Sequence, residues 1–339
     1  MKKLSLLLAV FIFGSALQAQ INPSSAIAGT AADIQYLGKG YLSPFADALS
    51  YSTTNGWYNT AKVRKTFRFE VSLIPSISMV PSEMKTFTID ENRLQQLELV
   101  NPNDNVTPTV FGSESAGVAL RYSNPALGGL VSSQFNMPSG IGIGVMPMAG
   151  IQAGVGLPFD FELKGRFLPS SGATFIDGSN VSQWGLALKH DLLRYLPKGK
   201  LLPFSFSAFV AYSSLSYSQE LEPGSGNDKE VTLDVNSLIT RLLVSKKLLF
   251  LTFYAGAGYN INNADVNLLG TYEYIDPTNI LNPEQQLKDP LSFSSSESSG
   301  FAGNVGIRAK FLVVGLVSAD YTFGAFNALT LNLGLSWDL

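Results

Sequence analysis

Four ionisable side chains occupy every second position from residue 160 to 166: Asp160, Glu162, Lys164 and Arg166, in the order minus, minus, plus, plus. In an extended chain this spacing puts all four on one face, opposite Phe159, Phe161, Leu163 and Phe167. Arg68, Glu70, Arg308, Lys310 and Asp320 recur in the same way on other alternating segments. Charges on the enclosed face of a strand do one of two things. They pair across the interior, or they ring a passage and select solutes by charge. Mixed signs favour pairing, because an unpartnered buried charge is costly.

No catalysis is expected. His190, beside Asp191, is the one histidine, and a hydrolytic serine needs both a base within hydrogen-bond reach and a group that orients it. No serine stands out as that nucleophile. One imidazole and no cysteine leave no imidazole- or thiolate-based metal site and no disulfide. Asn101-Pro-Asn-Asp-Asn105 offers oxygens but lacks the spaced acids of a calcium loop, and reads as a turn. Phosphate loops and dinucleotide fingerprints are absent, so no cofactor is expected. With 23 basic against 26 acidic residues, nothing points to a nucleic-acid partner.

The elements that would carry these charges are strands. The last eleven residues alternate without error: Leu329, Leu331, Leu333, Leu335, Trp337 and Leu339 on one face, Thr330, Asn332, Gly334, Ser336 and Asp338 on the other. Eleven residues suit a tilted membrane crossing of about 9–11. Comparable alternation marks 67–73, 145–157, 159–167, the stretch around Trp184 to Leu188, 204–212, 231–245, 249–261, 301–311 and 313–323. Parity slips at Leu215 and Tyr217, which implies a bulge or a strand leaving the membrane, and alternation blurs within 231–245. Hydrophobic residues make up 45% and charged residues 14%, below the roughly 25% charge of soluble domains. A barrel reconciles these figures by spreading lipid contact over many short strands.

The fold expected is therefore all-β: an up-and-down antiparallel outer-membrane barrel over 63–339. Ten strands are legible. Twelve remain open if 76–140 hides a hairpin at 85–89 and 117–122, and fourteen if 266–274 turns back. Residues 90–100 read as locally helical, with Asp90 as N-cap. The connections at 158, 196–200, 246–247 and near 312 are short, whereas 76–140, 219–230 and 275–296 are long, as periplasmic turns and outer loops are. Met1-Lys2-Lys3 followed by an apolar stretch and Leu17-Gln18-Ala19 reads as a secretory signal peptide, 1–19, cleaved after about Ala19.

Residues 20–62 break the pattern. Ile34, Leu37, Tyr41, Phe45, Ala48 and Leu49 recur at helical spacing, with a break or kink expected near Gly40 and Pro44. This segment either caps the periplasmic mouth or enters the lumen as a hatch.

Two resemblances follow from these residues. The spacing of Asn332, Gly334, Trp337 and Leu339 resembles the C-terminal signal read by the barrel assembly machinery. Asn55-Gly-Trp-Tyr-Asn-Thr-Ala-Lys62, with Gln152-Ala-Gly-Val-Gly-Leu-Pro158 and Lys164-Gly-Arg-Phe-Leu-Pro169, resembles a functionally uncharacterised family of outer-membrane barrels from Gram-negative bacteria. More distantly, the plan is similar to the FadL-type transporters of hydrophobic compounds, in which a hatch blocks the lumen. Trp57, Tyr58 and Asn59 stand where those carry an aromatic-Asn-Pro signature, with Thr60 in place of the proline. The resemblance implies passive transport of a small or hydrophobic solute through a plugged lumen, with outer-membrane lipid as surroundings. The other reading is a non-transporting structural or surface-binding barrel with acidic outer loops.

Overall fold

The computed structural model describes residues 29–122, 134–169, 179–221, 229–275, 284–311 and 314–337. The signal-peptide expectation and Leu339 lie outside these residues.

Ten antiparallel strands close into one barrel. Strand β1 is Phe69–Leu73 continued by Ser76–Met79, and β2 is Val145–Met148 continued by Ile151–Leu157. Then come β3 (Phe161–Leu168), β4 (Ser179–Asp191), β5 (Ser205–Glu220), β6 (Glu230–Leu248) and β7 (Leu251–Leu269). The circuit ends with β8 (Gly300–Phe311), β9 (Gly315–Phe323) and β10 (Asn327–Trp337). Each strand pairs with its neighbour, and β1 pairs with β10 from Phe69↔Trp337 to Leu73↔Leu333 to close the ring. A Cβ on Gly334 would come within 2.7 Å of Ser72 and of the Val71 carbonyl. Closure of this seam therefore explains the glycine there.

The strand number is ten because the extra segments fold elsewhere. Thr86–Thr88 pairs with Val106–Pro108, while Leu97–Leu99, Ala119–Tyr122 and Gln134–Asn136 form a separate three-stranded sheet. Thr271–Ile275 and Glu284–Lys288 form a hairpin beyond β7 that adds height and no circumference. The helix expected over 90–100 is a single 3-10 turn, Glu91–Arg93, which Asp90 does cap. Alternation of Leu97 and Leu99 prevails beyond it, because both bury against Leu37 and Leu120.

Parity is constant along β5 to β7, so no bulge interrupts them; what changes is the chemistry of the two faces. On β6, Leu238, Leu242 and Val244 face outward, but further on Thr232, Asp234 and Asn236 take the outer face. Inward, Ser237, Arg241 and Ser245 give way to Val231, Leu233 and Val235. Strands β5 and β7 switch at the same level, where Leu215 pairs with Val235 and Val235 with Ala264. Tyr212 donates to Asn236 Oδ1 at 2.6 Å on the outer face of this boundary. Strands β6 and β7, 19 residues each, exceed the roughly 9–11 that a crossing needs. Below the boundary the wall is apolar outside and mixed inside, its ions and hydroxyls interleaved with Phe209, Ile239 and Leu243 around Trp57 and Tyr58; above it, the wall is built like a water-soluble barrel with an apolar interior.

The apolar interior is filled by the hatch. Helix α1 (Ala31–Ser52) begins with a capping box between Thr30 and Asp33 and runs unbroken through Gly40 and Pro44. The break expected there does not occur. Gly40 has a packing reason instead: a Cβ would sit 2.6 Å from the Phe87 ring. Every residue from Pro44 to Ser52 is buried, the mark of a helix enclosed on all sides. The hatch thus lies in the lumen and not below it. Its first turn is held at the long-loop end, where Asp33 accepts from the Gln95 and Gln96 N–H groups, and the chain descends toward the short-turn end. Leu42, Phe45 and Leu49 pack against Leu215, Val235 and Val266 in one cluster, which Phe111 and Ile141 of the β1–β2 loop also join.

Val235→Asp should therefore cost about 3 kcal/mol or more, as an unpaired charge in an apolar core, while Asp234→Val on the outer face should change little. Denaturant titration of the detergent-solubilised barrel checks the pair; equal effects would contradict the inversion.

Candidate functional site

Below α1 the hatch is irregular, and an irregular segment leaves its carbonyls without intrasegment donors. Long cations on the wall supply them. Arg166 of β3 reaches Thr53 O at 3.3 Å and Asn55 O at 2.8 Å. Lys164 donates to Trp57 O at 3.1 Å, and Lys189 of β4 to Thr60 O and Lys62 O at 3.2 and 3.1 Å. The turn that starts this stretch uses Gly56 at φ +73, packed on Ile74 and Thr330.

The three hatch residues singled out by sequence each have a receptor. Trp57 fills a gap left by Gly185, whose Cβ would lie 2.8 Å from the indole. The Arg166 guanidinium stacks 4.1 Å over its ring. Tyr58 fits over Gly256, donates to Asn304 Oδ1 at 2.7 Å and meets Phe209 edge to face at 5.2 Å. Asn59 donates to Glu70 Oε1 at 3.0 Å.

Two buried carboxylates organise the cations. Glu162 accepts from Lys189 at 3.0 Å across the β3–β4 register and lies 3.6 Å from both Lys164 and Arg64. Its other tie is to the Arg64 N–H at 3.0 Å. Glu70 pairs with Arg64 at 2.8 Å and Arg308 at 3.3 Å. Asp320 forms a smaller group, accepting from Tyr254 at 3.0 Å and from Asn304 at 3.4 Å. Glu162, Lys164, Lys189, Glu70 and Arg308 therefore pair across the wall, as mixed signs favour, and Arg64 ties the two carboxylates together from the segment before β1, whereas Arg166 serves hatch carbonyls and Asp320 accepts from neutral donors.

Three assignments change. Asp160 is not inward: it sits at φ +60 in the exposed Pro158–Asp160 turn and pairs with Arg194 at 3.4 Å. Phe159 is in that turn too, so β3 starts at Phe161. Arg68 is half-buried before β1 and joins neither carboxylate in these contacts, and Lys310 lies at the barrel mouth. Lys189, missed from sequence, was accessible by parity, being the next inward position after Gly185 and Ala187. Arg64 carries no such signal, since residues 63–68 have no periodicity. His190 stacks on Phe161 at 4.0 Å, and its ring nitrogens meet Asp160 O and Tyr195 Oη at 3.2 and 3.0 Å. Of the assembly-signal residues, Asn332 and Gly334 face inward and Trp337 outward.

At the upper level Asp47 of α1 accepts from Ser295 Oγ at 2.9 Å and from the Ser298 N–H at 3.3 Å, clasping the segment before β8. Burial pushes its carboxyl up to about 6, with Glu297 adding to the rise and these hydrogen bonds opposing it.

Two predictions follow from this geometry. Lys189→Ala should lower stability by about 3 kcal/mol by leaving Glu162 short of its closest cation, and Glu162→Gln in the same chain should recover part of that loss. Heat-modifiable gel migration reads both, and an unchanged midpoint for Lys189→Ala would contradict the cluster. A raised carboxyl pKa contributes stability that is complete at low pH and is lost as pH rises through about 6. Protection of the 295–299 amides, taken as the intrinsic exchange rate over the observed rate at each pH, should therefore be greater at about pH 5 than at about pH 7.5, and Asp47→Asn should flatten the difference.

No curated protein matches this chain. Among solved structures it is similar to the translocator domain of autotransporter NalP from Neisseria meningitidis, at 8% identity over 91% of this chain and 98% of that one, TM-score 0.31. It is also similar to the transport unit of autotransporter AIDA-I from Escherichia coli, at 9% identity over 92% and 100%, TM-score 0.28. A weaker similarity is to the toluene transporter TbuX from Ralstonia pickettii, at 6% identity over 82% and 90%, TM-score 0.16. At TM-scores this low the likeness adds nothing about function to the barrel's own geometry. The sequence match is far more extensive: residues 1–337 fit the family described as "Family of unknown function (DUF6588)", and the chain belongs to that family.

Proposed function

We propose that this outer-membrane barrel passes a small or hydrophobic solute passively when its hatch gives way. One observation carries the reading. In the membrane-level half of the lumen, the seal is an irregular segment held by side-chain hydrogen bonds to its carbonyls and by rings seated over Gly185 and Gly256. Water or a solute can replace the hydrogen bonds one at a time, and the rings sit in a small apolar patch that is separate from the larger core around α1. The orientation puts short turns in the periplasm and long loops outside. The proposal includes export by the signal peptide with cleavage after about Ala19, insertion by the assembly machinery through Asn332, Gly334, Trp337 and Leu339, and no catalytic role for His190.

Planar-bilayer conductance tests it. The intact protein should be closed with rare openings. Deletion of 20–62 should open it, as should Arg166→Ala with Lys189→Ala, which leaves the wall complete. Folded barrels of both kinds that pass no solute would overturn the transport reading and leave a structural or surface-binding barrel.

A further inference from the structure

At the short-turn end, beneath the last hatch residues, the lumen widens into a cavity of about 320 Å³. Six cations line it: Lys62 from the hatch, Arg64 and Lys65 from the link to β1, Lys247 from β6, and Arg308 and Lys310 from β8. Among the described residues no carboxylate lines it, although the chain as a whole has more acids than bases. Arg64 and Arg308 already share Glu70, whereas Lys62, Lys65 and Lys247 are exposed toward the mouth. Hydroxyls of Ser205 and Thr252 stand among the cations as further donors.

The surroundings are fixed before any ligand arrives. Lys189 holds the Lys62 carbonyl at 3.1 Å, the Ala61 N–H donates to Ser245 Oγ at 3.1 Å, and the Phe67 N–H donates to Gly156 O at 2.8 Å. A concave surface with one sign of charge focuses its field and draws in counter-ions. The volume is that of small-ligand sites, which start at roughly 300 Å³. Convergent ammonium and guanidinium groups with hydroxyl donors match the several charged oxygens of phosphate.

We infer that this mouth binds a phosphate-bearing anion from the turn side. The inference does not depend on hatch opening. The anion is either free in the compartment or the headgroup of a phospholipid in the adjoining leaflet, and both present the same chemistry.

Calorimetric titration of the full chain in non-ionic detergent with inorganic pyrophosphate tests the site. Binding should be saturable, weaken as sodium chloride rises, and fall about tenfold or more in Lys65→Gln with Lys247→Gln. Both lysines are exposed and outside the buried ion cluster, and heat-modifiable migration confirms that the variant folds. Lys198→Gln with Lys246→Gln removes the same charge from outside the cavity and should leave the affinity unchanged. Repeating the titration in nanodiscs separates the sources: weaker pyrophosphate binding with phosphatidylglycerol than with phosphatidylcholine assigns the headgroup, and equal binding assigns the free anion. Heats that do not saturate, or equal losses in the two double variants, would overturn the inference.

Discussion

Backbone carbonyls buried inside a barrel must find donors, and the wall of this barrel provides them. Between Thr53 and Lys62 the chain has left the helix and joined no sheet, yet it passes through the centre of the molecule. Arg166, Lys164 and Lys189 reach inward to its oxygens. Buried lysines are costly in the lumen without countercharge, and Glu162 supplies it to Lys164 and Lys189, as Glu70 does to Arg308. The two carboxylates then recruit Arg64, in the short link between the hatch and β1. Hatch and wall are one electrostatic unit.

Above this unit the molecule changes solvent. Strands that face lipid with Leu238 and Ile261 face water with Asn236 and Asn263 only two residues further on. The interior responds in the opposite sense and packs Val235 and Ala264 against α1. A single hatch thus meets two different environments. Its helical half is held by apolar burial at the loop end, and its irregular half, at the level of the apolar belt, by hydrogen bonds and ion pairs around a smaller apolar patch at Trp57 and Tyr58. Displacing the lower half leaves the upper half anchored, a geometry suited to local opening without loss of the whole segment.

Most of the fold was legible in the sequence because lipid enforces a strict period of two. All ten strands were visible as alternation, including β10 to within two residues of its described end. Alternation failed where lipid stops: Leu215 and Tyr217 looked like a parity slip because the polar and apolar faces exchange while the backbone runs on. The loop expected over 76–140 starts later than that, because Ser76–Met79 extends β1; beyond it the segment was ambiguous for the same reason, since small sheets in water have no lipid face to declare them. Trp57, Tyr58 and Asn59 were legible as a group, but their receptors Gly185 and Gly256 were not, because a glycine announces only missing bulk. Pairing of the lumen charges followed from their mixed signs. That Arg64 and the carbonyls of the hatch complete those pairs is a property of the threaded topology, which no local pattern encodes.

The central claim is that residues 53–64 are seated in the lumen of the folded barrel, and the lack of native cysteine allows a direct measurement. Thr53 Oγ1 lies 2.8 Å from Ser237 Oγ of β6, so cysteines at both positions are within reach of a disulfide. In intact outer membranes, Thr53→Cys with Ser237→Cys should oxidise readily to an internal crosslink that survives denaturation and shifts gel migration. A pair that stays reduced under oxidant, with Cys at position 53 freely labelled by a bulky water-soluble maleimide, would contradict the account.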